Sequence, residues 1–318
     1  MSVAGRASAS AAIPGGAAPG ADPRGGSVPA PDGGSGDEYG FVEVGPHRWY
    51  LRRRGVGPTC LLLHGTGASL HSWSGLVPLL AEHHHVVAMD LPGHARTSTP
   101  RSASLSMERM AHDVAALVEA LGVRPSLVVG HSSGAALTAE LALNGSLPGA
   151  RLVGIAPAML LLDGVAGWLF PPLARLAANM DWLPRLFARR ARDPRQVRRL
   201  IEGTGSRVAR PYLEGYERLL SDPEHVANVL RMMAEWDLER LDARLPRLHA
   251  PFHLLAGAND RTVPLRTAYR TAALLPNATL EVLDGLGHLA HEEDAARVHE
   301  RLLALPNAPS PVPPDAGP

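Results

Sequence analysis

Three side chains far apart in this sequence could work as one chemical unit: Ser132, Asp260 and His288. Ser132 sits in LVVGHSSGAAL (127–137), a Gly-x-Ser-x-Gly run with an apolar stretch before it and a helical pattern after it. A serine at such a junction stands on a tight turn, with its hydroxyl presented at a sheet edge. That hydroxyl is a weak nucleophile until a base takes its proton, and an imidazole base needs an acid to hold its orientation. Downstream, PFHLLAGANDRTVP puts Asp260 just past an apolar run, and LEVLDGLGHLAHEED puts His288 just past the next one. Attack by such a serine on an acyl carbon builds negative charge on oxygen, which backbone N–H groups stabilise. LLLHGTGAS (61–69) ends an apolar run in His-Gly-Thr-Gly, so the N–H of Thr66 and that of Ser133 are the natural oxyanion pair. The chemistry expected is acyl transfer to Ser132 followed by hydrolysis, with no cofactor and no metal.

Each residue also has a plainer reading. Ser132 is also read as a serine in a glycine-rich turn, and Asp260 as a turn former whose side chain caps its own backbone. Asp284 competes for the acid role, and His291 lies one helical turn beyond His288 in a chain with fifteen histidines. What raises Asp260 and His288 is their joint position after successive strand-like runs. Other clusters lead elsewhere. His83-His84-His85 follows Glu82 and leads straight into an apolar run, and it reads as a solvated polar turn, while His288-x-x-His291-Glu292 departs from zinc-protease spacing. Cys60 is the only cysteine and lies in the apolar run TCLLLH, which suits a buried core residue. GTGS (203–206) could cradle an anion or simply join two helices.

These residues need elements to position them. FVEVG and HRWYLRR read as an antiparallel pair turned at Gly45-Pro46. TCLLLH (59–64), HVVAMD (85–90), SLVVGH (126–131), RLVGIA (151–156), PFHLLAG (251–257) and ATLEVL (278–283) are near-continuous apolar runs. Strands covered on both faces look this way. Helical patterns over 72–82, 105–121, 133–144, 265–275 and 289–303 separate most of them. The alternation predicts an α/β fold: a mostly parallel sheet of about eight strands with helices on both faces. One gap of about 95 residues between RLVGIA and PFHLLAG has helical character and no clear strand. It is read as an inserted helical cap, 157–245, over the strand ends where ligands bind in open α/β sheets. The core is then 39–156 and 246–305, and the Ala/Gly/Pro-rich segments 1–38 and 306–318 are expected to be disordered.

Formal charge is zero, which argues against nucleic-acid binding by bulk electrostatics. The chain lacks a signal-peptide pattern and an apolar run long enough to span a bilayer, so a cytoplasmic location is expected. Within the cap, RLFARRARDPRQVRRL (185–200) carries seven arginines against one Asp. It suits either a solvated helix face or attraction to an anionic ligand or membrane surface. Trp168, Leu169, Phe170, Trp182, Phe187 and Trp236 are expected mostly in the core, with some lining an apolar pocket.

Over residues 41–305 the sequence resembles the α/β-hydrolase superfamily, whose members carry Ser, Asp and His in this chain order. Its serine separates it from the dehalogenase and epoxide hydrolase branches, which form an ester on a carboxylate. LLLHGTGASLHSW, DLPGHARTS, VVGHSSGAAL, LFPPLARLAA, LIEGTGS, HVANVLRMMAEWDL and GLGHLAHEE are together similar to one subgroup, the magnesium-chelatase accessory proteins of bacteriochlorophyll biosynthesis. That subgroup usually has Ala where this chain has Ser133, a change that keeps the backbone N–H. The resemblance implies a setting in tetrapyrrole metabolism; a general small-molecule esterase or carbon–carbon bond hydrolase, which would share the triad, and a porphyrin-binding chelatase accessory protein without catalysis stay open beside it. The partners it implies are a small-molecule substrate, an ester or a porphyrin-like ligand, and association with magnesium chelatase. Chelation itself requires an ATP-driven enzyme, and this chain has no Lys and hence no phosphate-binding Gly-x4-Gly-Lys-Ser/Thr loop.

Overall fold

The computed structural model describes residues 36–161, 180 and 182–305. The expected disorder at either end, apart from residues 36–38, and Trp168, Leu169 and Phe170 all lie outside them. The chain opens with a hairpin, β1 (Glu38–Val44) and β2 (His47–Arg54), turned at Gly45, whose φ of 60° suits glycine. Asp37, inside the stretch expected to be unstructured, is well placed. Its carboxylate pairs with the buried Arg52 at 2.9 Å, because a guanidinium out of water requires a carboxylate.

β3 (Thr59–Leu63) is followed by a 3-10 turn (Leu70–Trp73), α1 (Leu76–Leu80), β4 (His85–Met89), α2 (Met107–Ala120), β5 (Pro125–His131), α3 (Ser133–Leu143) and β6 (Arg151–Ile155). The described chain resumes with α4 (Trp182–Ala191), α5 (Pro194–Gly203), α6 (Arg210–Leu220), α7 (Pro223–Glu235) and α8 (Leu238–Asp242). It ends with β7 (Phe252–Gly257), α9 (Leu265–Leu274), β8 (Ala278–Leu283), α10 (Ala290–Glu293) and α11 (Ala295–Ala304). The described strands form one eight-stranded sheet in the order β1-β2-β4-β3-β5-β6-β7-β8, antiparallel at β1–β2 and β2–β4 and parallel elsewhere.

Side chains alternate across a strand, so the apolar runs feed two cores. Leu61, Leu63, Val128, Leu152 and Leu254 pack on one face with Met110, Val114 and Leu117 of α2 and Ala135 of α3. Cys60, Leu62, Val129, Val153 and Leu255 pack on the other with Trp73, Leu76 and Leu80, and with Val298 and Leu302 of α11. Burial drives the Cys60 thiol pKa up, as suits a core residue.

Two helical patterns divide where polar groups intervene. The 72–82 pattern splits at Ser74-Gly75, where Gly75 N–H donates to the Tyr212 hydroxyl at 2.9 Å. The 289–303 pattern splits at Asp294, which leaves helical geometry (φ −146°) to accept from Arg297 N–H and start α11. Asp193 and Asp222 start α5 and α7 in the same way, each followed by proline at the first helical position.

Helices α6 and α7 lie across loops at the C-terminal ends of the strands. His225 Nδ1 accepts from Ala95 N–H at 3.1 Å, and the Trp236 indole donates to Leu105 O at 2.9 Å. Two aromatic expectations need correction. Trp182 is 58% exposed and Phe187 50% exposed, because α4 turns Pro184, Ala188 and Ala191 inward instead.

Candidate active site

Ser132 joins β5 to α3 at φ 53°, ψ −116°. A side-chain residue in such a region costs on the order of 1–3 kcal/mol, so its surroundings must hold it there. Ser132 N–H donates to Ile155 O at 2.9 Å, and Ser132 O accepts from Ala135 N–H at 3.0 Å and Ala158 N–H at 3.2 Å. Gly134 is required because a Cβ there would collide with the Leu63 carbonyl oxygen, so α3 begins hard against the end of β3.

The Ser132 Oγ lies 3.1 Å from His288 Nε2, and His288 Nδ1 lies 2.8 Å from Asp260 Oδ2. Asp260 and His288 arrive on the loops after β7 and β8, which are adjacent parallel strands. All three residues are buried. The other Asp260 oxygen accepts from Thr262 and Val263 N–H, each at 2.8 Å. The turn-former and orienting-acid readings of Asp260 therefore coexist, one on each oxygen. A carboxylate only accepts, so His288 carries its proton on Nδ1 and turns the Nε2 lone pair toward the serine hydroxyl. Asp284 is exposed, and its backbone carbonyl takes the Arg297 guanidinium at 2.7 Å.

Thr66 and Ser133 also meet: the Thr66 hydroxyl donates to the Ser133 hydroxyl at 2.9 Å. Ser133 is the first residue of α3, so its N–H has no acceptor within the helix. The turn after β3 is fixed from below by His64. Its Nδ1–H donates to Gly65 O at 2.8 Å, and its Nε2 accepts from Leu91 N–H at 2.9 Å. Burial and the neighbouring His94 hold His64 neutral, its pKa well below the ordinary value. Asp90 braces the same turn by accepting from Leu70 N–H at 2.8 Å.

Several supporting residues carried little signal in the sequence. The buried His131, also neutral, donates from Nε2 to the His288 carbonyl at 3.0 Å. His291, raised as a rival base, instead faces the Ser72 hydroxyl at 2.9 Å and lies 4.5 Å from His131, ring centre to ring centre. Glu292 is buried, accepts from Tyr216 of α6 at 2.7 Å, and accepts from Ser72. Burial pushes its carboxyl up to about 8, so at neutral pH it is mostly the uncharged acid. GTGS, read as a connection or an anion cradle, is a connection that also grips both loops. Thr204 O accepts from Arg261 N–H at 3.0 Å, and the Ser206 hydroxyl accepts from Leu289 N–H at 2.8 Å. The signal was present in its two glycines, since Gly205 takes a φ of 89°. Among the described residues no group of three or more His, Cys, Asp or Glu is placed to hold a metal ion.

Chemically, a hydroxyl, a correctly tautomerised imidazole and an orienting carboxylate in line can deprotonate the serine for attack on an electrophilic carbon. A family model for the alpha/beta hydrolase fold matches residues 58–295. The chain belongs to the α/β-hydrolase fold family. Within it, the chain is 40% identical over 251 residues to the magnesium-chelatase 30 kDa subunit of Rhodobacter capsulatus, covering 78% of this chain and 87% of that one. It is 27% identical over 253 residues to 2-hydroxy-6-oxononadienedioate/2-hydroxy-6-oxononatrienedioate hydrolase 2 of Pseudomonas putida, covering 77% and 86%. Among solved structures, a haloalkane dehalogenase loop variant from Bradyrhizobium elkanii superposes with a TM-score of 0.67 at 19% identity, covering 84% of this chain and 95% of that one. That last likeness concerns the fold alone.

Proposed function

We propose that this chain is a serine hydrolase in which Ser132 attacks, His288 moves the proton and Asp260 orients the imidazole. The observation that carries the reading is the continuous hydrogen-bond chain from Asp260 through His288 to Ser132, at 2.8 and 3.1 Å. In the acylation step, His288 Nε2 takes the Ser132 proton as Oγ bonds to the acyl carbon. The Thr66 and Ser133 N–H groups stabilise the resulting oxyanion. His288 then gives the proton to the leaving group as its bond to the acyl carbon breaks. Water, deprotonated by the same imidazole, attacks that carbon, and the imidazolium returns the proton to Ser132 Oγ as the ester bond breaks and the acid leaves. Asp260 stabilises the imidazolium formed in each half. Of the segment read as the cap, residues 162–179 and 181 lie outside the described residues; in this reading its described helices, from α4 to α8, serve as the cap over the site.

The substrate we assign is an ester-like or tetrapyrrole-related small molecule, with a role beside magnesium chelation. Similarity to the magnesium-chelatase 30 kDa subunit supports that setting. The same similarity also favours a second reading, a porphyrin-binding accessory protein of the chelatase that uses no hydrolysis. Complementation separates them: in a pigment-forming host lacking its own copy, Ser132→Ala should fail to restore bacteriochlorophyll while wild type succeeds. Full restoration by Ser132→Ala would leave the accessory reading in its place.

A further inference from the structure

The protein has no net formal charge, yet its positive charge is unevenly placed. Residues 185–200, spanning α4 and the first part of α5, hold Arg185, Arg189, Arg190, Arg192, Arg195, Arg198 and Arg199, all exposed, against Asp193 alone. None of the seven forms an ion pair with a described residue, although many arginines elsewhere do, as Arg52 and Arg244 illustrate. Asp193 is engaged in starting α5.

Exposed apolar side chains share this surface. Trp182 is 58% exposed, Leu186 40% and Phe187 50%, and Leu200 on α5 is 48% exposed. These are four of the seven large apolar side chains left exposed among the described residues. Helix geometry explains how they sit among the charges. Pro184, Ala188 and Ala191 form the inward stripe of α4. At about 100° per residue, Trp182 and Leu186 then fall in the middle of the outward face. Arg185 and Arg189 flank them on one side and Arg190 on the other.

An apolar ridge between rows of arginine is a poor design for a water-facing helix, where the ridge gains nothing. It suits the boundary of a bilayer. There Trp and Leu enter the acyl edge while arginines on long stems reach back to the phosphates. We propose that the outward face of α4, with the arginines leading into α5, docks on an anionic lipid surface. Charge complementarity selects the partner, since the ridge supplies apolar insertion and the arginines supply attraction to negative headgroups. An acidic protein would meet the charges but leave Trp182 and Leu186 without a matched apolar partner. The hydrolase reading is not needed for this proposal.

The test is flotation of the full chain with vesicles of phosphatidylcholine alone, or of phosphatidylcholine with 30% phosphatidylserine or 30% phosphatidylglycerol as separate arms (our choice, roughly the upper range of anionic content). The expected result is binding to both anionic vesicles, weakened by salt, and little to the neutral one. Each arginine near such a surface contributes severalfold, so R185Q/R189Q/R190Q should lower the partition coefficient on the order of 100-fold. W182A/L186A should abolish the binding that survives high salt. All five side chains are exposed, so both variants should keep the wild-type thermal midpoint. Ser132→Ala should bind vesicles like wild type, which separates this proposal from the hydrolase reading. Equal binding to neutral and anionic vesicles, or wild-type binding by both multiple variants, would overturn it. So would no vesicle binding alongside tight binding to polyglutamate, which would make the face a protein-docking surface.

Discussion

Changing Asp260 to Asn should slow the attack of Ser132 by about ten-thousandfold while barely changing the shape of the site. The structure dictates which way the amide must lie. Asp260 Oδ1 accepts from two backbone N–H groups, Thr262 and Val263, each at 2.8 Å. An asparagine keeps its oxygen there and so places its NH2 at the Oδ2 position, 2.8 Å from His288 Nδ1 in the wild type. A donor facing Nδ1 forces the imidazole proton onto Nε2, which then points a hydrogen at the Ser132 hydroxyl. The base is lost although every atom is near its former place. A rate loss of that size is about 5.5 kcal/mol on the barrier. The stability cost should be only about 1–3 kcal/mol, for one charge-assisted hydrogen bond made weaker. The second-order rate of fluorophosphonate labelling, followed by intact mass, measures the first quantity without knowledge of the substrate. Chemical denaturation measures the second. A labelling rate within tenfold of wild type in a folded D260N protein would refute the tautomer argument and Asp260 as the orienting acid.

Ser133→Ala removes the 2.9 Å contact with the Thr66 hydroxyl but keeps the backbone N–H. The labelling rate should stay within about fivefold of wild type, and stability should fall by about 1 kcal/mol. A hundredfold loss would mean that the hydroxyl, rather than the N–H, supports the oxyanion. Gly134→Ala drives a Cβ into the Leu63 carbonyl, so it should cost about 2–4 kcal/mol in unfolding free energy or prevent folding; a wild-type melting curve would contradict the close approach of α3 and β3. Glu292 supplies a pH signature. Its folded pKa of about 8 lies above the ordinary 4.5, so between those values the folded chain holds a proton that the unfolded chain has lost. Its contribution to stability is therefore complete below about pH 4.5 and is lost as pH rises through about 8, by up to about 1.4 kcal/mol per pH unit. Buried His71, His94 and His291, pushed down to about 3, have the opposite sign, so the comparison must be with Glu292→Gln. The stability of E292Q relative to wild type should rise steadily from pH 5 to pH 8 in urea titrations. Parallel curves would show that Glu292 ionises normally.

The sheet was legible because its strands are short apolar runs spaced by helical patterns, a signal that depends only on local sequence. The elbow was legible for the same reason: β5, Ser132 and α3 are contiguous. Asp260 and His288 could be placed at strand ends, but their contact depends on β7 and β8 being neighbours, which only the folded sheet provides. The loops that grip them were harder. Ser206 meets Leu289 across 83 residues and Tyr216 meets Glu292 across 76, and single polar residues at such distances leave no pattern. A buried carboxyl such as Glu292 is especially hidden, because in sequence it looks like any exposed acid beside Glu293. Trp182 and Phe187 misled for a related reason. Aromatic residues are usually buried, but the inward stripe of α4 is set by Pro184, Ala188 and Ala191.

The most direct test of the account is to expose the full chain to a fluorophosphonate and locate the adduct by peptide mass spectrometry. The account predicts a single adduct on Ser132, absent in S132A and slowed at least a thousandfold in His288→Ala. An unlabelled Ser132 in a protein that still melts cooperatively, or labelling that proceeds equally well without His288, would contradict it.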